Sequence, residues 1–174
     1  TLQLKLKIDP DLDKFNVREL FETLEMPLVP VLVGMENAGV RINSDELNSY
    51  SKVLLEQIIQ LEQEIIAMAG EPFNVSSPQQ LGVILFEKLN IDPNAKKTKT
   101  KQYSTAEETL AQLSHKHPII EKILEFRELK KLLSTYVEAL PLLVNRKTGK
   151  IHTSYNQAIA ATGRLSSVNP NLQN

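Results

Sequence analysis

Residues 43–70 read NSDELNSYSKVLLEQIIQLEQEIIAMAG. Apolar side chains recur there at Leu47, Tyr50, Leu54, Ile58, Leu61, Ile65 and Met68, in steps of three and four. That spacing collects them on one side of a long α-helix, as a heptad-like stripe for packing along another long helix. Asn43 and Glu46 are spaced as a capping box, and Gly70 supplies the stop. Plain core packing accounts for the stripe.

A partner lies further along. From His117-Pro118 the chain carries Ile119, Ile120, Ile123, Leu124, Phe126, Leu129, Leu132, Leu133, Tyr136, Val137 and Leu140, a second helical pattern. Arg127, Lys130, Lys131 and Ser134 fall at i, i+3, i+4 and i+7, which makes one face of this helix basic. The expected fold is mainly α: a long antiparallel helix hairpin with small helices at its tip, plus a short β segment near the C-terminus.

Between the two long helices, small helices and a basic loop should form the tip. Ser77 precedes Pro78, a cap followed by a proline at the first helical position, which predicts a short helix to about Leu89. Such an N-terminus flanked by Asn74, Ser76 and Ser77 either serves only as a cap or also accepts an anion. Lys96, Lys97, Lys99 and Lys101 alternate with threonines before Tyr103-Ser104-Thr105, and Glu107-Glu108 opens another short helix. Lysine runs are commonly solvated loops, but this one lies beside two Ser/Thr helix starts that together could grip a phosphate backbone.

Outside the hairpin the signals are shorter. Leu2, Leu4, Leu6 and Ile8 alternate and break at Asp9-Pro10-Asp11, and Val17 to Leu24 has helical spacing with Asn16 as its cap. Met26 to Leu32 is strongly apolar, with Pro27 and Pro30 placing a helix start near Pro27, an end at Ala38 and a cap at Gly39. Val40 to Ile42 reads as an extended link. Residues 145–150 read as a turn and 151–157 as a strand, with 159–165 as the available neighbour. The last fourteen residues, ATGRLSSVNPNLQN, are dense in hydrogen-bonding groups and poor in apolar area. They read either as a frayed polar tail or as a segment held by something further.

The 174 residues are 41% hydrophobic and 24% charged, sufficient for a core, and the absence of Cys excludes disulfides, thiolate zinc sites and cysteine nucleophiles. No basic-then-apolar leader or bilayer-length apolar run is present, so a soluble, cytoplasmic protein is expected. The first residue is Thr1 rather than Met, which suggests an excised piece. The net charge of −1 hides an asymmetry: residues 1–95 hold 7 Lys and Arg against 15 Asp and Glu, residues 96–174 hold 13 against 6. Only the second half suits phosphate by charge. His115 and His117 lack a partner at metal-ligand spacing, and no Gly-rich phosphate loop, His/Glu metal motif or nucleophile elbow occurs. Glu138 is the last acidic residue. The chemistry that remains is binding: Lys and Arg for phosphate, hydroxyls and helix amides for its oxygens, Asn, Gln and Arg for base edges.

Several short motifs carry a resemblance. They include Met26-Pro27-Leu28-Val29-Pro30-Val31-Leu32, Phe73-Asn74, Ser76-Ser77-Pro78, Lys97-Thr98, Tyr103-Ser104-Thr105, Ser134-Thr135-Tyr136 and His152-Thr153-Ser154-Tyr155. Above all they include Ala161-Thr162-Gly163-Arg164-Leu165-Ser166-Ser167 with Pro170-Asn171-Leu172-Gln173-Asn174. In their order and spacing, residues 25–174 resemble the bacterial family-A DNA polymerases.

The resemblance implies that residues 1–25 are the trailing end of an exonuclease-type domain, 26–144 a helical thumb subdomain and 145–174 the first part of the palm. It implies a DNA-directed DNA polymerase of replication and repair, a nucleotidyltransferase, as the parent protein, monomeric and in the bacterial cytoplasm. Primer–template duplex DNA is the implied partner. Asn74, Ser76, Ser77, Lys97, Thr98, Lys99, Ser104 and Thr105 would lie along its backbone, Arg127 and Lys131 would hold it near the active site, and Arg164, Asn171 and Gln173 would read the minor groove. Departures from the family's usual residues fall at Leu133, Ala160 and Asn169, which are given no role. No catalytic residue or metal ligand falls in this chain. Mg2+ is expected only in the parent, through palm aspartates beyond Asn174, and nucleotide binding needs a fingers subdomain also beyond it. The fragment alone is expected to be inactive. The alternative is a free-standing helical hairpin whose acidic face binds a protein, and the strand and polar run at its end argue against that.

Overall fold

The computed structural model describes residues 1–95, 97–98 and 102–173. Helices dominate, and one small antiparallel sheet lies near the C-terminus, as the sequence predicts. The chain divides into two compact units, residues 43–141 and residues 1–42 with 142–174.

The first unit is the hairpin. Helix α4 (Ser44–Ala69) starts as expected: Asn43 Oδ1 accepts the Glu46 N–H at 3.2 Å and Asn43 Nδ2 donates to Glu46 Oε2 at 3.1 Å. It ends at Gly70, whose φ of 73° is the left-handed conformation of a C-cap glycine. Helix α7 (Ile119–Leu132) packs along it and passes into a π-helical turn at Leu133–Val137 and then α8 (Ala139–Leu142). The antiparallel direction is seen at the tip end, where Lys122, early in α7, meets Glu64, late in α4, at 2.9 Å.

Leu54, Ile58, Leu61, Ile65 and Ala69 from α4 interlock with Ile119, Ile120, Ile123, Phe126, Leu133 and Val137. Tyr50 and Met68 are exposed, so the stripe finishes on Ala69. The step after Ile65 is four residues rather than three, because a straight helix drifts from a strict seven-residue repeat. The tip supplies α5 (Pro78–Val83), a π-helical turn at Ile84–Lys88, and α6 (Glu107–Leu113). Their Leu81, Leu85, Phe86 and Leu110 close the end of the same core.

The second unit is discontinuous in sequence. Helix α1 (Leu2–Lys14) runs through Pro10, where the sequence suggested a break, and buries none of its residues. Asn16, at φ 55°, does not cap the following helix α2 (Arg18–Leu20). It turns the chain out of α1 instead, a left-handed position that asparagine tolerates. Arg18 fastens this corner with contacts to Asp9, Asp13 and Glu22. A π-helical turn at Phe21–Glu25 leads into α3 (Met26–Ala38), with Pro27 in its first turn.

Beyond Gly39, Val40 forms an antiparallel bridge with Ile151. His152 Nδ1 lies 2.8 Å from the Glu36 carbonyl and so carries the proton, which leaves Nε2 to accept from Thr148 at 2.8 Å. Strand β1 (Ser154–Asn156) pairs with β2 (Ser166–Val168), Tyr155 opposite Ser167. The partner strand therefore begins at Ser166, beyond the 159–165 segment expected from sequence. Further ties run from Tyr155 N–H to Glu36 Oε1 at 2.7 Å and from Gln157 Nε2 to the Glu25 carbonyl at 3.0 Å.

Candidate nucleic-acid interface

Within the hairpin unit most of the expected contact residues are committed to partners inside the fold, while the basic face of α7 carries lysines with no ion pair among the described residues. The basic face of α7 borders a shallow depression lined by Ser76, Phe126, Arg127, Lys130, Lys131 and Ser134. Ser76 comes from the turn before α5, where Asn74 Oδ1 accepts the Ser76 N–H at 2.9 Å and the Asn74 N–H donates to Gln80 Oε1 at 2.8 Å. Ser77 Oγ caps α5 by accepting the Gln80 N–H at 3.4 Å. These contacts fix the turn so that Lys130 Nζ, 54 residues away, reaches Ser76 Oγ at 2.6 Å. The ammonium also lies 5.3 Å from the Phe126 ring centroid.

Lys130, absent from the sequence-derived set, is thus part of the cluster. Its spacing with Arg127 and Lys131 was the available signal. Lys131 is exposed beside it, and no ion pair neutralises Lys130 or Lys131 among the described residues.

Arg127 and Thr105, expected to contact DNA from separate elements, contact each other. The guanidinium donates from Nη1 to the Thr105 carbonyl and from Nη2 to Thr105 Oγ1 at 3.2 Å. Burial lowers the Arg127 pKa from its ordinary value, with Glu107 opposing. Thr105 is buried, so its side chain is not a surface contact. Ser104 Oγ is 3.1 Å from Thr109 Oγ1.

Lys97 is paired as well. Its Nζ donates to Glu87 Oε1 at 2.9 Å and lies 4.8 Å from the Tyr103 ring centroid, and Glu87 raises its pKa. The Thr98 N–H donates to the Gln102 carbonyl at 2.7 Å. Lys99 lies outside the described residues.

In the other unit, Arg164 is exposed and makes no hydrogen bond among the described residues. Asn171 and Gln173 instead belong to an ordered network around Ser167, which is 2% exposed. The Ser167 N–H donates to Gln173 Oε1 at 3.1 Å, Ser167 Oγ donates to Asn171 Oδ1 at 3.2 Å and accepts the Leu172 N–H at 2.9 Å. Gln173 donates its backbone N–H to Asn171 Oδ1 at 2.9 Å and Nε2 to the Leu165 carbonyl at 2.9 Å. Residues 165–173 of the polar run are therefore held by side chains of the run itself, and the frayed-tail reading does not apply to them.

No described helix is long and apolar enough to cross a membrane. The described residues also contain no group of three or more His, Cys, Asp or Glu that could hold a metal ion.

Comparisons with known proteins identify the family. Residues 44–174 match the model of DNA polymerase family A. DNA polymerase I of Synechocystis is 50% identical over all of this chain and 18% of its own length. That of Bacillus subtilis is 47% identical over 98% of this chain and 19% of its own. The polymerase domain of Pol1 from M. smegmatis, solved with primer–template DNA and dNTP, superposes with a TM-score of 0.86 at 36% identity, covering 99% of this chain and 30% of that one. The chain thus spans under a fifth of the length of these two full relatives.

Proposed function

This chain belongs to DNA polymerase family A, and from that premise we propose that it holds primer–template duplex DNA for a bacterial DNA-directed DNA polymerase acting in replication and repair. In this reading, residues 26–144 are the thumb subdomain, 145–174 the start of the palm, and 1–25 the end of an exonuclease-type domain. The observation that carries it is the unpaired cationic patch of Lys130 and Lys131 beside Ser76. Flexible ammonium groups and a hydroxyl suit phosphate oxygens and carry no sequence information.

Contact along the backbone comes from Ser76, Lys130 and Lys131, with the turn at Asn74 and Ser77 supporting them. Arg127 acts by tying the tip to α7. Arg164 and Asn171 face the minor groove, where every base pair offers an N3 or O2 acceptor, so pair shape is checked without reading sequence. Among the described residues no cluster of His or carboxylate side chains fits a divalent-metal site. The Mg2+-binding carboxylates and the nucleotide site are assigned to other parts of the polymerase, and this chain alone does not polymerise.

The test is a salt titration of binding to a fluorescent duplex. Affinity should be independent of sequence and should fall with a log–log slope of about −0.9 per phosphate contacted. Binding insensitive to salt would sink the proposal.

A further inference from the structure

Two glutamates of the segment that enters the hairpin meet the strand that follows it. Glu25 closes the π-helical turn before α3, and Glu36 lies in the last turn of α3. Both are half-buried, and neither is ion-paired with a Lys, Arg or His among the described residues. Their oxygens accept instead from uncharged donors between His152 and Gln157. The Tyr155 N–H donates to Glu36 Oε1 at 2.7 Å, and the His152 ring donates to the Glu36 carbonyl at 2.8 Å. Gln157 Nε2 donates to the Glu25 carbonyl at 3.0 Å and to Glu25 Oε2 at 2.8 Å. Both neighbours of that nitrogen accept, so the orientation of the Gln157 amide is settled and both of its N–H groups are used.

The two runs match in length. From His152 to Gln157 an extended chain advances about 16 Å, and from Glu36 back to Glu25 a helix covers about 16 Å. Strand β1 therefore runs alongside α3 in the opposite direction, fastened by one glutamate at each end. The sheet needs this support, because Ser154–Asn156 and Ser166–Val168 are short strands and a two-stranded pair is marginal by itself. All of these residues lie in one unit, and the hairpin takes no part in the fastening.

We propose that Glu25, Glu36 and Gln157 are positioning residues for the polymerase reaction, with α3 as the template that sets where the first strand of the palm stands. This rests on the reading of residues 145–174 as the start of the palm. Hydrogen bonds to a carboxylate are short and strong, and a misplacement of about 1 Å far from the chemistry can cost about a hundredfold in rate. Loss of one fastening slows the chemical step and leaves the hold on the duplex, which belongs to Ser76, Lys130 and Lys131, as it was.

The experiment uses a full-length family-A polymerase carrying this segment. It measures the single-turnover rate of primer extension well below the thermal midpoint, the Kd for primer–template duplex, and the midpoint itself. Gln157→Glu sets a second carboxylate against Glu25 and should lower the rate by about tenfold with Kd unchanged. Gln157→Ala should lower it severalfold, and it decides the matter if Gln157→Glu does not fold. The double variant Glu25→Gln with Gln157→Glu exchanges donor and acceptor and should recover most of the rate at the same Kd. The proposal is overturned if Gln157→Ala extends at the unsubstituted rate, if the rate falls only in step with the thermal midpoint, or if the exchanged pair does not recover it. Failure of the duplex-holding reading shows separately, as salt-insensitive binding by the unsubstituted enzyme.

Discussion

Arg127 of α7 grips Thr105 at both its carbonyl and its hydroxyl, fastening the segment before α6 to the long hairpin. A guanidinium is suited to this because its planar fork reaches two oxygens at once.

Arg127→Ala should therefore destabilise the protein, by about 1.5–3 kcal/mol for hydrogen bonds to a charged group. Arg127→Lys should recover only part of it, since an ammonium lacks the fork. Urea unfolding measures both, and equal stability of all three proteins would contradict the tie.

Lys131→Gln should weaken duplex binding uniformly across sequences and reduce the salt slope by about 0.9 if it meets one phosphate. Lys130→Met should do the same while leaving the turn at Ser76, held by Asn74, Ser77 and Gln80, in place. A sequence-dependent loss would indicate base contact instead.

The Glu64–Lys122 pair makes stability depend on pH at both extremes. The Lys122 ammonium, aided by Gln60, holds the Glu64 carboxyl below its ordinary range, and Glu64 raises Lys122. The carboxylate's contribution is complete above the ordinary glutamate pKa and is lost as pH falls through the depressed one. That of the ammonium is complete below the ordinary lysine pKa and is lost as pH rises through the raised one. Glu64→Gln should flatten both limbs of a plot of thermal midpoint against pH.

Gly39→Ala should cost more than the ~1–2 kcal/mol of a left-handed residue. At φ 62° an added Cβ would meet His152 Cε1 at 2.7 Å and the Ile151 carbonyl oxygen at 2.9 Å. A lowered thermal midpoint, together with faster amide exchange at Val40 and Ile151, is the expected readout.

Arg164→Ala in a full-length polymerase should slow primer extension and weaken hold on the primer end by ~1–3 kcal/mol if one base-edge contact is lost. Unchanged single-turnover extension would remove Arg164 from the site.

The hairpin was legible because its signals are local. Asn43 and Glu46 are three residues apart, and the stripe repeats within α4. The partnership of Arg127 with Thr105 was not legible, because it exists only after α6 has folded against α7. Both residues carried polar motif signatures, and nothing in their spacing distinguished inward from outward use. Strand β2 was missed because Ser166 and Ser167 lack the alternation of a half-buried strand. Ser167 is buried for its hydrogen bonds rather than for apolar area. Leucines at positions 2, 4 and 6 mimicked a strand, although α1 buries none of them.

Because residues 1–42 find their β-bridge and hydrogen-bond partners at Ile151, Tyr155 and Gln157, that unit closes a loop of more than a hundred residues. Left as open coil, such a loop would carry a large closure entropy. The hairpin's core, drawn wholly from Leu54 to Val137, can assemble first and shorten the effective loop to the distance between its own ends. On a ribosome the order is enforced: α3 emerges early and waits, while the whole hairpin is made before Ile151 appears.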